Sequence, residues 1–404
     1  MSRARKNSSC GWSLIELLIA MAVGIIVMGA AMKVFTQGMN AEFVVSQRAE
    51  MQQDLRASTD LLLKDVSLAG AGLPSGTGIA LPTGTALKPI YGYSPTCVAN
   101  NNCVPGNGIA YPCTAFNAVP CNPTLYGLIP GFQMGIKPPG TPNKTDVITV
   151  VYTDTNFALP CYTVTTITAN SITLTAPAAP PPASCILPNG LVFPQAVNDP
   201  VVGLIPGDII MVQGIVGGSS ATAMAEVTNV AANGGGVYTV TCANGDTLNL
   251  NQSGAAGGDL KQMIPVPPGT PPSPTTTATR ILVTTYYLWM LPDPLAVGPG
   301  VPTLMRQINA HQPMPVAENV VNLQFTYDTY DASGNLLNAV GDGGYSLGTS
   351  YNLIRKINLL HLSIRSQVSG ASSGLMIGKG YQTFDIQTSM SARNLSYQNR
   401  YNIH

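Results

Sequence analysis

The sequence predicts an α+β chain: one long N-terminal helix joined to a β-rich, disulfide-containing head. Three observations predict it. Residues 12–32 form an apolar run in which Glu16 is the only charge, and the first proline anywhere is Pro74. From Asp146 onward, short β-branched runs alternate with turn residues, as strands and hairpins do. Between these parts lies a stretch rich in Pro, Gly, Asn and Cys, suited to a stapled loop.

Composition narrows the function before any motif is read. The 404 residues hold 19 Lys+Arg against 19 Asp+Glu, only 9% charged, where soluble domains carry roughly 25%. A hydrophobic fraction of 45% with no net charge excludes disorder driven by charge. With no basic excess to neutralise phosphates, nucleic acid is not an expected partner. Gly (41) and Pro (33) make up about 18% of the chain, against roughly 12% usually. Loop-rich β-structure with uncharged surfaces fits, as in proteins that work outside the cytoplasm.

The N-terminus is basic first and apolar next. Arg3, Arg5 and Lys6 stand without an acid in residues 1–11, and Trp12–Met32 follows. Twenty-one residues at 1.5 Å rise span about 31 Å, the thickness of a bilayer's hydrocarbon core. Leading positive charge holds the N-terminus in the cytoplasm and sends the rest across. A cleaved signal ending at Ala20-Met21-Ala22 is the ordinary reading of such a start. Against it stand Glu16 inside the apolar run and the uninterrupted helical pattern that follows. That pattern runs from Lys33 to Ala69, with Met51, Leu55, Leu62 and Val66 as the apolar stripe. Arg48, Glu50, Asp54, Arg56, Asp60, Lys64 and Asp65 read as its solvated face, and Gly70, Gly72 and Pro74 as its stop. The expectation is a helix apolar all round over 12–32 and amphipathic over 33–70.

Gly11-Trp12-Ser13-Leu14-Ile15-Glu16 behind a basic leader resembles the processing site of type IV prepilins and pseudopilins. The resemblance implies a pilin-like fold and a leader of residues 1–11. It implies a prepilin peptidase that cuts between Gly11 and Trp12 and N-methylates Trp12. It further implies that Glu16 pairs, as a buried carboxylate, with the N-terminal amine of a neighbouring subunit. Trp12 stands where the family usually has Phe, and no proline occurs near Lys33, where many pilins kink. A straighter helix is therefore expected, with any bend at Gly24, Gly29 or Gly38. Losing the leader leaves the mature chain net negative.

Behind the helix, 74–145 reads as the Cys/Pro/Gly-rich loop region and 146–264 as a β-rich middle. Expected strands are Asp146–Thr153, the hairpin Tyr162–Thr168 with Ser171–Thr175, a strand opening at Gly207-Asp208, and Ala225–Val230. Tyr238–Cys242 and Thr247–Leu250 flank Asn244-Gly245, a strong hairpin signal. Residues 251–279 read as exposed loop, with 265–279 the Pro-rich linker. Residues 280–404 read as a second β-rich module. Its strands are expected at Arg280–Leu291, Val320–Tyr330, Leu353–Ser366 and Thr383–Leu395. This last third is similar to PilW-type minor pilins in Tyr286-Tyr287, Leu304-Met305-Arg306, Ala317–Tyr327, the apolar run from Ile354 to Leu362, and Ala392–Leu395.

Cys10 leaves with the leader, so seven cysteines are disulfide candidates: Cys97, Cys103, Cys113, Cys121, Cys161, Cys185 and Cys242. The first four suit two local bridges, and Cys161 with Cys185 a third, leaving Cys242 odd or exchanged with one of that pair. No C-x-x-C occurs and the spacings do not suit zinc, so no metal is expected. Asp328, Asp331, Ser333 and Asn335 invite a calcium reading, against which a polar turn around Gly334 is the plainer one. His361, on a strand, is expected to be half-buried. No nucleophile elbow, phosphate loop or dinucleotide fingerprint is present, so neither enzyme nor cofactor is expected.

Taken together, the resemblance implies a low-abundance type IV pilin acting in pilus assembly or initiation, with a place in a tip complex. Its partners would be other pilins, met through the N-terminal helix, and the prepilin peptidase. It would sit in the inner membrane as a single-pass protein with its head outside the cytoplasm, and then in the fibre at the cell surface. The alternatives are a minor pseudopilin of type II secretion, which usually has a smaller head, and a pilus-borne adhesin.

Overall fold

A computed structural model of the chain describes residues 13–74, 79–82, 124–133, 135–139, 141–178, 185, 196–252, 258–292, 300–330, 335–340, 354–366, 382–392 and 394–395. The arrangement is α+β and pilin-like: a long N-terminal helix, then a β-rich region with a disulfide. Two compact units divide it, Met1–Gln53 with Ser366–Gln382, and Asp54–Arg365 with Thr383–His404. Helix α1, Leu14–Ser67, starts in the first unit and ends in the second. In the first unit its side chains from Leu14 to Met39 are exposed.

In the second unit the end of α1 has become amphipathic. Leu55, Leu62, Val66 and Ala69 are buried at helical spacing, and Ser58 and Thr59 satisfy their hydroxyls on the Leu55 carbonyl. The helix stops because the chain turns back onto a sheet. Gly70, at φ +75°, donates its N–H to the Val151 carbonyl at 2.9 Å. A Cβ on Gly127 would lie 2.7 Å from the Gly70 Cα, so the two backbones can touch only as glycines.

That sheet is the centre of the head. It comprises β3 (Leu128–Gly131), β4 (Val147–Thr153), β7 (Ile209–Val216), β8 (Ser219–Glu226), β11 (Thr277–Leu291), β12 (Val301–Ile308) and β13 (Met314–Ala317). Its main order is β13-β12-β11-β4-β3, with β7 on the first residues of β11 and β8 beyond β7. Strand β11 ties the unit together: Thr277–Ile281 pair with β7, Ile281–Tyr286 with β4, and Thr284–Leu291 with β12. Residues 280–404 therefore do not form a module of their own, because their first strand is the middle region's central strand. The expected loop over 251–279 is also partly folded. Leu260 and Met263 are buried in a short 3-10 turn, and β11 opens at Thr277.

A second sheet has the order β5-β6-β10-β9, from Thr163–Ile167, Ser171–Thr175, Val237–Thr241 and Asn229–Gly234. Its inner residues Val164, Ile172, Leu174 and Val240 share a core with Ile210, Val212, Ala223, Leu260 and Met263. Tyr162–Thr165 and Tyr238–Thr241, which share the sequence Tyr-Thr-Val-Thr, flank β6 on either side, and Tyr162 meets Tyr238 edge-on at 6.0 Å. The third sheet, β15-β14-β16-β17, joins Leu336–Val340, Val320–Tyr330, Ile354–Ser366 and Gln382–Ser391. A two-residue ladder, β1 (Ile79–Ala80) with β2 (Thr124–Leu125), completes the described strands.

Two strand expectations fail for identifiable reasons. Ala225–Val230 is not one strand: Val227 bonds back to Asp208 while Thr228 already bonds to Thr241, so the chain changes partner sheets there. The hairpin around Asn244-Gly245 does not form either. Of its second arm, Thr247 and Leu248 give their N–H groups to the Glu226 carboxylate, Leu250 and Asn251 to the Asp246 carboxylate and Asn249 to the Asp246 carbonyl, none to a strand.

Candidate functional site

Helix α1 begins on a capping box. Ser13 Oγ accepts the Glu16 N–H at 3.2 Å, and Glu16 Oε2 accepts the Ser13 N–H at 3.1 Å and its hydroxyl at 3.3 Å. Ser-x-x-Glu satisfies helix-terminal N–H groups reciprocally and sets an anion at the positive end of the dipole. Glu16 thus has a local role that its place in the apolar run did not reveal, although Ser13 three residues ahead is the signal for it. Gly11 and Trp12 lie outside the described residues. Behind the cap, Leu14–Met39 is 26 residues with mean hydropathy 2.5 and nothing buried within the chain. At 1.5 Å per residue that is about 39 Å, enough to cross a bilayer.

The other end of α1 carries a polar cluster that the periodicity misassigned. Asp65 is not on a solvated face; it is 3% exposed. Tyr286 of β11 donates to its Oδ2 at 2.6 Å, Arg306 Nε of β12 to the same oxygen at 2.7 Å, and Tyr152 of β4 to its Oδ1 at 3.3 Å. Tyr286 and Arg306 are register partners, so adjacent strands present both groups to the helix on one face. Burial raises the Tyr286 and Tyr152 hydroxyl pKa values, and the Asp65 charge raises them further. Burial alone would lower the Arg306 pKa, but the hydrogen bond and charge of Asp65 raise it on balance. Ser58, Leu62, Asp65 and Ala69 stand at i, i+4, i+7 and i+11, so Asp65 lies in the buried stripe. Strict spacing would have shown this.

A second ionic knot holds β11 to the loops. Arg280 pairs with Asp154 through Nε and Nη2, reaches Asp208 at 3.4 Å and donates to the Gly203 carbonyl at 2.7 Å. His311 Nε2 meets the other Asp208 oxygen at 2.9 Å. His361 is half-buried on β16, with Nδ1 at 2.8 Å from Asp385. Asp146 is buried, accepts N–H bonds from Gln133 and Phe325, and has a carboxyl pKa raised by burial to about 6 despite them.

Cys161 and Cys185 form a disulfide, while Cys242 is free and buried. Cys97, Cys103, Cys113 and Cys121 lie outside the described residues, as do Asp331 and Ser333 of the calcium reading. Among the described residues no three His, Cys, Asp or Glu side chains stand together to hold a metal ion.

The family model of the prokaryotic N-terminal methylation motif matches residues 6–32. The N-terminal segment is type IV prepilin-like. It implies processing by a prepilin peptidase and assembly with other pilins, and it matches a structural subunit of a pilin or pseudopilin kind. No curated protein and no solved structure matches the chain.

Proposed function

We propose that this chain is a low-abundance type IV pilin that takes part in pilus assembly or initiation within a tip complex. The observation that carries the reading is the methylation motif at residues 6–32, continuous with a helix whose far end is built into a large β head. Cleavage between Gly11 and Trp12, methylation of the Trp12 amine and pairing of Glu16 with a neighbour's amine are the steps that follow. Glycine at the scissile bond lets the peptidase approach the backbone closely, so Gly11→Leu is expected to leave the leader attached. The head exceeds the roughly 100–150 residues of a usual domain. Stems that pack side by side force their heads to tile, and a head of this size crowds its neighbours at each lattice point. At a tip that crowding is absent.

Quantitative mass spectrometry of purified fibres tests the reading. A copy number far below that of the main subunit is expected, and a comparable one would contradict it. Glu16→Ala should leave membrane insertion intact and reduce incorporation into the fibre, because the neighbour's amine would lose its buried partner.

A further inference from the structure

We propose that the outer face of the second sheet binds an extended neutral glycan laid across its strands, one sugar ring to a strand.

The inner residues of that sheet go to the core, and strand alternation turns threonine outward on three adjacent strands. Register fixes the pattern. Thr166 of β5 stands opposite Thr173 of β6, and Thr173 opposite Thr239 of β10, so one row of threonines crosses the sheet and ends at the small Ala231 of β9. To one side of that row Thr163 faces Thr175, which faces Val237. To the other side Ser171 faces Thr241, which faces Asn229. The hydroxyl-bearing side chains of all three rows are exposed or half-buried. Strands lie roughly 4.8 Å apart and alternate residues of one strand about 7 Å apart, so the hydroxyls form a grid with a repeat in each direction.

Threonine on an outer strand face follows from β propensity alone. Two further features do not. The hydroxyls are not used by the chain: those of Thr163, Thr166, Thr173, Thr175 and Thr241 make no hydrogen bond among the described residues. Thr239 Oγ1 accepts from Asn233 Nδ2 at 2.8 Å, which leaves its own O–H to donate. The face is also uncharged, because residues 162–176 and 227–245, which supply all four strands, hold no Asp, Glu, Lys, Arg or His.

These features select the ligand. A face without charge offers no ionic partner to a phosphate, a sulfate or a basic chain. A hydroxyl donates and accepts at once, so a grid of hydroxyls is best matched by another surface of hydroxyls, as a glycan presents. Small molecules favour concave sites; a flat, repeating face suits a ligand that repeats as well. The strand spacing is close to the length that one ring adds to an extended β-1,4-linked chain. Such a chain crossing β5, β6 and β10 would meet Thr166, Thr173 and Thr239 in turn, with each threonine methyl against the C–H face of a ring. Tyr162 is buried and Tyr238 packs on the same core, so recognition falls to the hydroxyls.

The test is co-sedimentation of the full chain, held in a detergent without a sugar headgroup, with insoluble cellulose, β-mannan and chitin. Binding to at least one of these neutral β-1,4-linked glycans is expected, and it should persist at about 1 M salt, where ionic contacts are screened. The triple variant Thr166→Val, Thr173→Val, Thr239→Val keeps the branched shape and removes three hydroxyls; it should bind about tenfold or more weakly. The matching triple serine variant, which keeps the hydroxyls, should retain binding. No sedimentation with any of the three glycans, binding that salt abolishes, or equal binding by the valine variant would overturn the proposal. So would shaping of ice crystals by a chain that binds no glycan, which would assign the grid to water.

Discussion

One helix, α1, holds two stretches that obey opposite rules. Over Leu14–Met39 its large apolar side chains are bare, with Ile25 and Ile26 each 71% exposed. Over Asp54–Ser67 one apolar stripe is fully covered, Leu62 and Val66 at 0%, and even an aspartate is buried. The backbone is the same and the solvent intended for it is not. The first stretch gains nothing from its own chain and is long and apolar enough to cross a bilayer. The second gains its place from one apolar stripe and one ionic cluster. Fibre assembly should depend on the first and head stability on the second.

The largest break in that division should come from Asp65→Ala. It strips Arg306, Tyr286 and Tyr152 of their shared acceptor and should cost about 3–5 kcal/mol of head stability in denaturant unfolding. Unchanged unfolding would mean that the cluster does not hold the helix end. Leu62→Ala, a large-to-small change at a fully buried site, should cost about 2–5 kcal/mol by the same assay. Replacing Cys161 by serine opens a loop closed over a separation of 24 residues and should cost about 2–4 kcal/mol, read as a lower Tm. Ile26→Ala, by contrast, should leave head unfolding untouched; a clear loss there would erase the distinction between the two stretches.

A smaller effect follows from pH. Asp146 is raised from 3.8 to about 6 and Glu226 from 4.5 to about 7, both by burial. Each folded-state value lies above its unfolded one, so the folded head binds more protons in between. Stability should therefore be greatest near the acid end of that window and fall as pH rises through about 6 and then about 7. A decline in Tm across it is expected in a melting series. A Tm that climbs over the same range would contradict these assignments.

Much of this was legible from residues. Pro74 as the first proline, with Gly70 and Gly72 before it, marked the end of the helix, and β-branched runs marked β4, β11, β14 and β16. Single-sequence patterns missed what depends on partners distant in the chain. Asp65 reads as surface until Arg306, 241 residues on, is brought beside it. Asn244-Gly245 reads as a hairpin turn because nothing local shows that Glu226, 22 residues before Leu248, will take that N–H. The exposed-loop reading of 251–279 missed Leu260 and Met263 likewise, since they find their core on β7 and β8.

The central claim, that this helix enters the membrane as a prepilin and is trimmed to a methylated stem, has a direct measurement. Mass spectrometry of the N-terminal peptide from membrane-extracted protein should find N-methylated Trp12, with residues 1–11 absent. An N-terminus between Ala20 and Val23, or an intact leader in cells that hold an active prepilin peptidase, would contradict it.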